Sequence, residues 1–107
     1  MSTFDEREKG FERKFALDSE MEFKAMARRN KLLGLWAAEK MGLKGADAES
    51  YAKEVVKSDL QEAGDDDVLR KVKGDLEARG LSFSEHQIRR EMDELLGQAR
   101  DQIRNGV

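Results

Sequence analysis

Lys24, Arg28 and Lys31 recur at steps of four and three residues, so a helix sets them on one face with Arg29 to the side. Such a face could meet the phosphates of a nucleotide or the carboxylates of a partner protein. It could equally be a solvated face neutralised by Glu20 and Glu22. Trp36 lies two turns beyond Arg29 and would give an adenine a stacking surface, or simply fill the core. Lys24, Arg28, Arg29, Lys31 and Trp36 are therefore the candidate nucleotide contacts. His86, the lone histidine, stands beside Glu85. A metal or general-base role would need further ligands or an activated partner. Asp65-Asp66-Asp67 lacks the spacing of a calcium loop and reads as a helix cap. The chain has no P-loop, glycine fingerprint or nucleophile motif, so any ADP or ATP would be bound for regulation and no cofactor is required. With no cysteine, disulfides, thiolate chemistry and Cys-type zinc sites are excluded. The residues do not read as an enzyme.

A second set of residues lies near the start. Phe4, Phe11 and Phe15 stand among Asp5, Glu6, Arg7, Glu8, Lys9, Glu12, Arg13 and Lys14. In helical geometry, steps of seven and eleven residues return to within about 20° of the starting direction. The three rings would form one narrow stripe, and continuing it meets Asp18 and Glu22 instead of a core face. Either the stripe folds back on the rest of the chain or is an ordinary solvated terminus, or the segment 1–18 is an arm, mobile when free, that becomes helical in a partner's groove. Its charge and the interior Gly10 work against a stable isolated helix, which suits folding on binding. The expected division is an arm over 1–18 and a bundle over 19–107.

The elements that must position these groups are helical. Proline is absent, and Val and Ile never alternate with polar residues, so nothing signals a strand. A first helix is predicted from Ser19 to Met41, with Phe23, Met26, Ala27, Leu33, Gly34, Ala37 and Met41 on its core face and Gly42 as a left-handed cap. The run Leu32 to Ala38 is apolar nearly all round, which suits a central helix. Asn30 points along that apolar face, where a buried amide would fix the packing register or touch a ligand. A second helix starts at an Asp47 cap and runs to about Ala63, burying Ala48, Tyr51, Ala52, Val55, Val56 and Leu60 before Gly64 ends it. A third is capped by one of Asp65, Asp66 or Asp67, packs Val68, Leu69, Val72 and Leu76, and stops at Gly80. A fourth begins with Ser84 and Gln87 at capping-box spacing and Phe83 and Ile88 as the hydrophobic staple. Its core face is Ile88, Met92, Leu95, Leu96, Ala99 and Ile103. Short glycine-containing connections favour antiparallel neighbours, hence an all-α four-helix bundle.

Composition narrows the function classes. The residues are 38% hydrophobic and 40% charged, so the core is small and the outer faces carry charge. A net charge of −3 argues against a nucleic-acid binder. No window is apolar enough to span a bilayer, and the start lacks the pattern of a secretory signal, so the expectation is a cytoplasmic protein without direct membrane insertion.

Four stretches carry a resemblance. Phe4-Asp5-Glu6-Arg7-Glu8, Phe11-Glu12-Arg13-Lys14-Phe15-Ala16 and Phe23 through Ala38, together with Glu62 to Lys71, resemble the zeta subunits of alphaproteobacterial F-type ATP synthases, a family of small ATPase inhibitors. The resemblance implies a four-helix bundle with a mobile inhibitory arm. It implies binding to the catalytic head of the synthase, at an interface of alpha and beta subunits near the rotating gamma subunit, where the arm blocks rotation in the hydrolysis direction. Phe4, Arg7, Phe11, Arg13, Lys14 and Phe15 would be its partner contacts. The family also implies regulatory ADP or ATP on the bundle, and a cytoplasmic protein peripheral to the membrane-bound synthase. A nucleotide-sensing module and a helical adaptor for another partner are the alternatives. Gly10 departs from the better helix former expected there, at a cost of about 1 kcal/mol.

Overall fold

The computed structural model describes residues 3–59 and 65–106, with side chains from Ser19 onward. Four helices follow one another: α1 (Thr3–Lys40), α2 (Ala46–Ser58), α3 (Asp66–Ala78) and α4 (Glu85–Arg104). No strand occurs among the described residues. The all-α four-helix class expected from the sequence is the observed one. The boundary expected after residue 18 falls within the bounds of α1. Leu60, Ala63 and Gly64, expected to finish the second helix, lie outside the described residues; its described part ends at Ser58 with Asp59 as cap.

Helix ends follow local chemistry. Gly42 adopts φ 79° and Gly80 φ 77°, a region costly for residues with a Cβ. Each closes a Schellman motif. Leu43 and Gly42 donate to Ala38 and Glu39 carbonyls, and Leu81 and Gly80 donate to those of Leu76 and Glu77. At the start of α4, Gln87 N–H donates to Ser84 Oγ at 3.1 Å and Ser84 N–H donates to Gln87 Oε1 at 2.8 Å, completing the expected box. The staple holds too, with Ile88 fully buried and Phe83 packed on the core.

One expected cap is corrected, and another is met in position but not in bonding. The N-cap of α2 is Gly45, without a side-chain bond, and Asp47 lies inside the first turn, where it only opposes the helix dipole. Asp65 holds the N-cap position of α3 but makes no capping bond, because its carboxylate is drawn elsewhere.

α1 is the central element and contacts α2, α3 and α4. Antiparallel pairing with α2 brings Gly34 against Ala52, and with α4 brings Trp36 beside Phe83 and Arg28 beside Gln102. The Gly34 contact is tight: a Cβ there would stand 2.6 Å from the Ala52 Cα. The core is built by Leu33, Ala37 and Ala38 of α1, Tyr51 and Val55 of α2, Val68, Val72 and Leu76 of α3, and Ile88, Met92 and Leu95 of α4. These are the stripes the sequence periodicity marks, with one clear exception. Phe23, assigned to the core face, is 73% exposed. α2 reaches Ser58, level with Asn30 of α1, whereas Phe23 lies about two turns earlier on α1.

Candidate functional site

One turn before Leu33, the buried stripe of α1 carries a charge. Arg29 is only 2% exposed and Asn30 1%. The Arg29 guanidinium donates from Nη2 to Asp65 Oδ1 at 2.8 Å, and from Nε and Nη2 to Asn30 Oδ1 at 3.1 and 2.8 Å. Asn30 Nδ2 donates in turn to Asp59 Oδ2 at 3.0 Å. Every strand of this network serves a need, since a buried guanidinium or amide without partners costs heavily. Its acceptors sit on either side of the α2–α3 connection, so α1 holds both ends of that connection. The Arg29 hydrogen bond is the main reason that the Asp65 carboxyl is held below its ordinary value.

The two neighbouring acids are also committed. Asp66 accepts from Arg89 of α4 at 2.8 Å, and Asp67 from Arg70 of its own helix at 2.8 Å. The acidic run is thus a three-way tie to α1, α4 and α3, a role that capping alone does not describe. Behind it, Tyr51 donates to Asp75 at 2.8 Å, and Lys71 lies over the Tyr51 ring and bonds the same carboxylate. Burial, with that anionic neighbour, pushes the Tyr51 phenol far up.

The expected nucleotide contacts do not share one surface. Arg29 leaves the set for the interior. Trp36 is half-buried, edge-on to Phe83 with centroids 5.4 Å apart, and Lys40 stands 5.9 Å from its ring. It lies about 12 Å along α1 from Arg28. Lys24, Arg28 and Lys31 do come together and line a shallow groove with Phe23, Val56 and Ile103. Of the acids expected to neutralise this face, Glu20 pairs with Lys24 at 3.4 Å. Glu22 instead accepts from Arg100 of α4, which holds its carboxyl below the ordinary value. The side chains of Phe4, Arg7, Phe11, Arg13, Lys14 and Phe15 lie outside the described residues. His86 is exposed at the start of α4.

Sequence reasoning missed the burial of Arg29. The signal was present: Arg29, Leu33 and Ala37 repeat every four residues on the stripe that also carries Asn30.

Among the described residues, no group of three His, Asp or Glu side chains could hold a metal ion, and no helix is long and apolar enough to cross a membrane. Fold and site together define the class: a small all-α bundle, tied internally by a buried arginine and open to solvent along a cationic groove. The chain belongs to the ATPase inhibitor subunit zeta family, whose model matches residues 1–102. A protein solved by solution NMR is similar over 81% of this chain and 99% of its own, at 47% identity and a TM-score of 0.71. No curated protein matches.

Proposed function

We propose that this chain inhibits ATP hydrolysis by the F-type ATP synthase, acting by binding and not by catalysis. The observation that carries the reading is the extent of the family match, which takes in both the phenylalanine-bearing segment 1–18 and the bundle. In this reading the segment is an arm, mobile when free, that enters an alpha/beta interface of the catalytic head beside the gamma subunit and stops rotation. Phe4, Phe11 and Phe15 supply the anchors, and Arg7, Arg13 and Lys14 flank them. The bundle carries the arm and sits peripherally on the membrane-bound enzyme in the cytoplasm. A second reading, regulatory ADP or ATP on the bundle, would use Lys24, Arg28 and Lys31, the sequence candidates that line one groove.

Deleting Met1 to Leu17 tests the reading. The truncated chain should keep the cooperative melt of the bundle, followed by circular dichroism, and lose its inhibition of ATP hydrolysis by the purified synthase. Inhibition undiminished by the deletion overturns the arm. Replacing Phe4, Phe11 and Phe15 by Ala should weaken inhibition while leaving the melting temperature unchanged. A large fall in that temperature would place the three rings in the bundle core instead.

A further inference from the structure

The groove that begins at Phe23 does not end at Lys31. Lys31 and Val56 also line a second depression, between α1 and α2, that continues over Ala52 and past Lys53 and Lys57. The two form one channel with an apolar floor. Phe23 stands at its mouth, 73% exposed, and Val56, Ala27 and Ile103 are each half-buried beneath it.

Its charge runs against that of the molecule. The chain carries −3, yet Lys24, Arg28, Lys31, Lys53 and Lys57 line the channel and Glu49 is the one acid among its lining residues. The pairing pattern is sharper still. On the other faces, Arg29, Arg70, Lys71, Lys73, Arg89 and Arg100 all hold a carboxylate within 4.0 Å. Lys31, Lys53 and Lys57 are exposed and make no ion pair with any described residue. Three unpaired cations around an apolar floor lack an anionic counterpart that also brings apolar side chains.

We propose that this channel docks an acidic amphipathic segment of the partner, a second contact besides the arm, with Phe23 packing on its apolar side and Lys31, Lys53 and Lys57 meeting its carboxylates. The proposal rests on the inhibitor reading and names the chemistry of the surface that the bundle meets. The spacing favours such a segment over a nucleotide. Lys24, Arg28 and Lys31 are spread over about 10 Å of α1, and Lys53 and Lys57 over about 6 Å of α2. They form two rows, matched to carboxylates repeating at helical spacing, where a triphosphate would call for convergent donors and a helix N-terminus. Among the described residues, the first turn of α2 brings only Glu49, an acid, to this channel, and its other α2 residues lie in the body and last turn of that helix.

The test uses the full chain and the purified catalytic head of the F-type ATP synthase, with affinity measured at about 50 and about 200 mM salt, either side of a Debye length near 10 Å. The wild type should bind more weakly at the higher salt. The variant carrying Lys31→Glu, Lys53→Glu and Lys57→Glu should bind about tenfold more weakly at low salt, with most of the salt dependence gone. Phe23→Ser, which leaves every charge in place, should weaken binding at both salts. Coincident thermal melts establish that both variants fold. A triple variant that binds as tightly as the wild type overturns the channel and leaves the inhibitor reading standing. A wild type that does not bind the head overturns both. Amide shifts at Phe23 and Val56 on adding ATP alone, lost in a triple variant of unchanged affinity for the head, would overturn the proposal in favour of nucleotide phosphates.

Discussion

Two regions of the same helix pair treat charge in opposite ways. Where α1 meets the α2–α3 connection, Arg29 and Asn30 turn their Nε, Nη2 and Nδ2 donors to internal acceptors on Asn30, Asp65 and Asp59. On the adjoining side of α1 and α2, Lys31, Lys53 and Lys57 are exposed and hold no carboxylate of any described residue. The first region resembles the interior of any protein that has had to bury a cation. Its pairing fixes where α1 sits against the turn and leaves nothing for an outside molecule. The second contributes little to the fold and keeps its charge available. Charge content alone, at 40% of residues, does not separate the two; partnering does.

The comparison breaks most readily at Arg29. Arg29→Ala should destabilise the bundle by about 3 kcal/mol, the lower end for a broken buried pair because Asp65 is partly exposed. Urea unfolding followed by circular dichroism measures it. The same pair predicts a pH dependence. The Asp65 carboxyl is held below its ordinary 3.8 in the folded state, so its contribution is present above that pH and is lost as pH falls through the lowered value. Denaturation midpoints compared between neutral pH and the acid range should therefore drop less in Arg29→Ala than in the wild type.

Gly34 serves both regions, because the approach of α2 to α1 sets the depth of the channel as well as the position of the turn. Gly34→Ala should cost about 1–2 kcal/mol, the overpacking against the Ala52 backbone exceeding the gain in helix propensity. Thermal melting checks this, and a more stable variant would mean that α2 retreats without loss. Ser84→Ala removes one half of the capping box of α4, which belongs to neither region, and should cost about 1 kcal/mol by the same measurement. Smallest of all is the stability change for the triple glutamate variant in the channel, expected within about 0.5 kcal/mol because those lysines are exposed and hold no ion pair with any described residue. A loss of several times that size would move the channel into the structural class with Arg29.

How much was legible follows the range of each interaction. The capping box, the staple and the glycine caps at Gly42 and Gly80 are local, and the sequence spelled them correctly. Core stripes on α3 and α4 were readable because those helices are amphipathic, with buried residues spaced along them. Phe23 was misassigned because a helical wheel knows direction but not where the neighbouring helix stops. The acidic run was read only as a helix cap because two of its arginine partners are distant in sequence: Asp65 lies 36 residues from Arg29, and Asp66 lies 23 from Arg89. The channel was half visible. Lys24, Arg28 and Lys31 share one helix, whereas Lys53 and Lys57 join them only when α2 packs against α1.

Trp36 has an optical consequence. It is the chain's sole tryptophan, seated edge-on to Phe83 at the point where α4 begins. Its emission reports whether α1 and α4 are joined, and its ring lines neither depression of the channel. An intrinsic fluorophore placed there registers melting of the bundle while staying dark to occupation of the channel. One cuvette can thus tell a chain that has come apart from a chain that has found its partner.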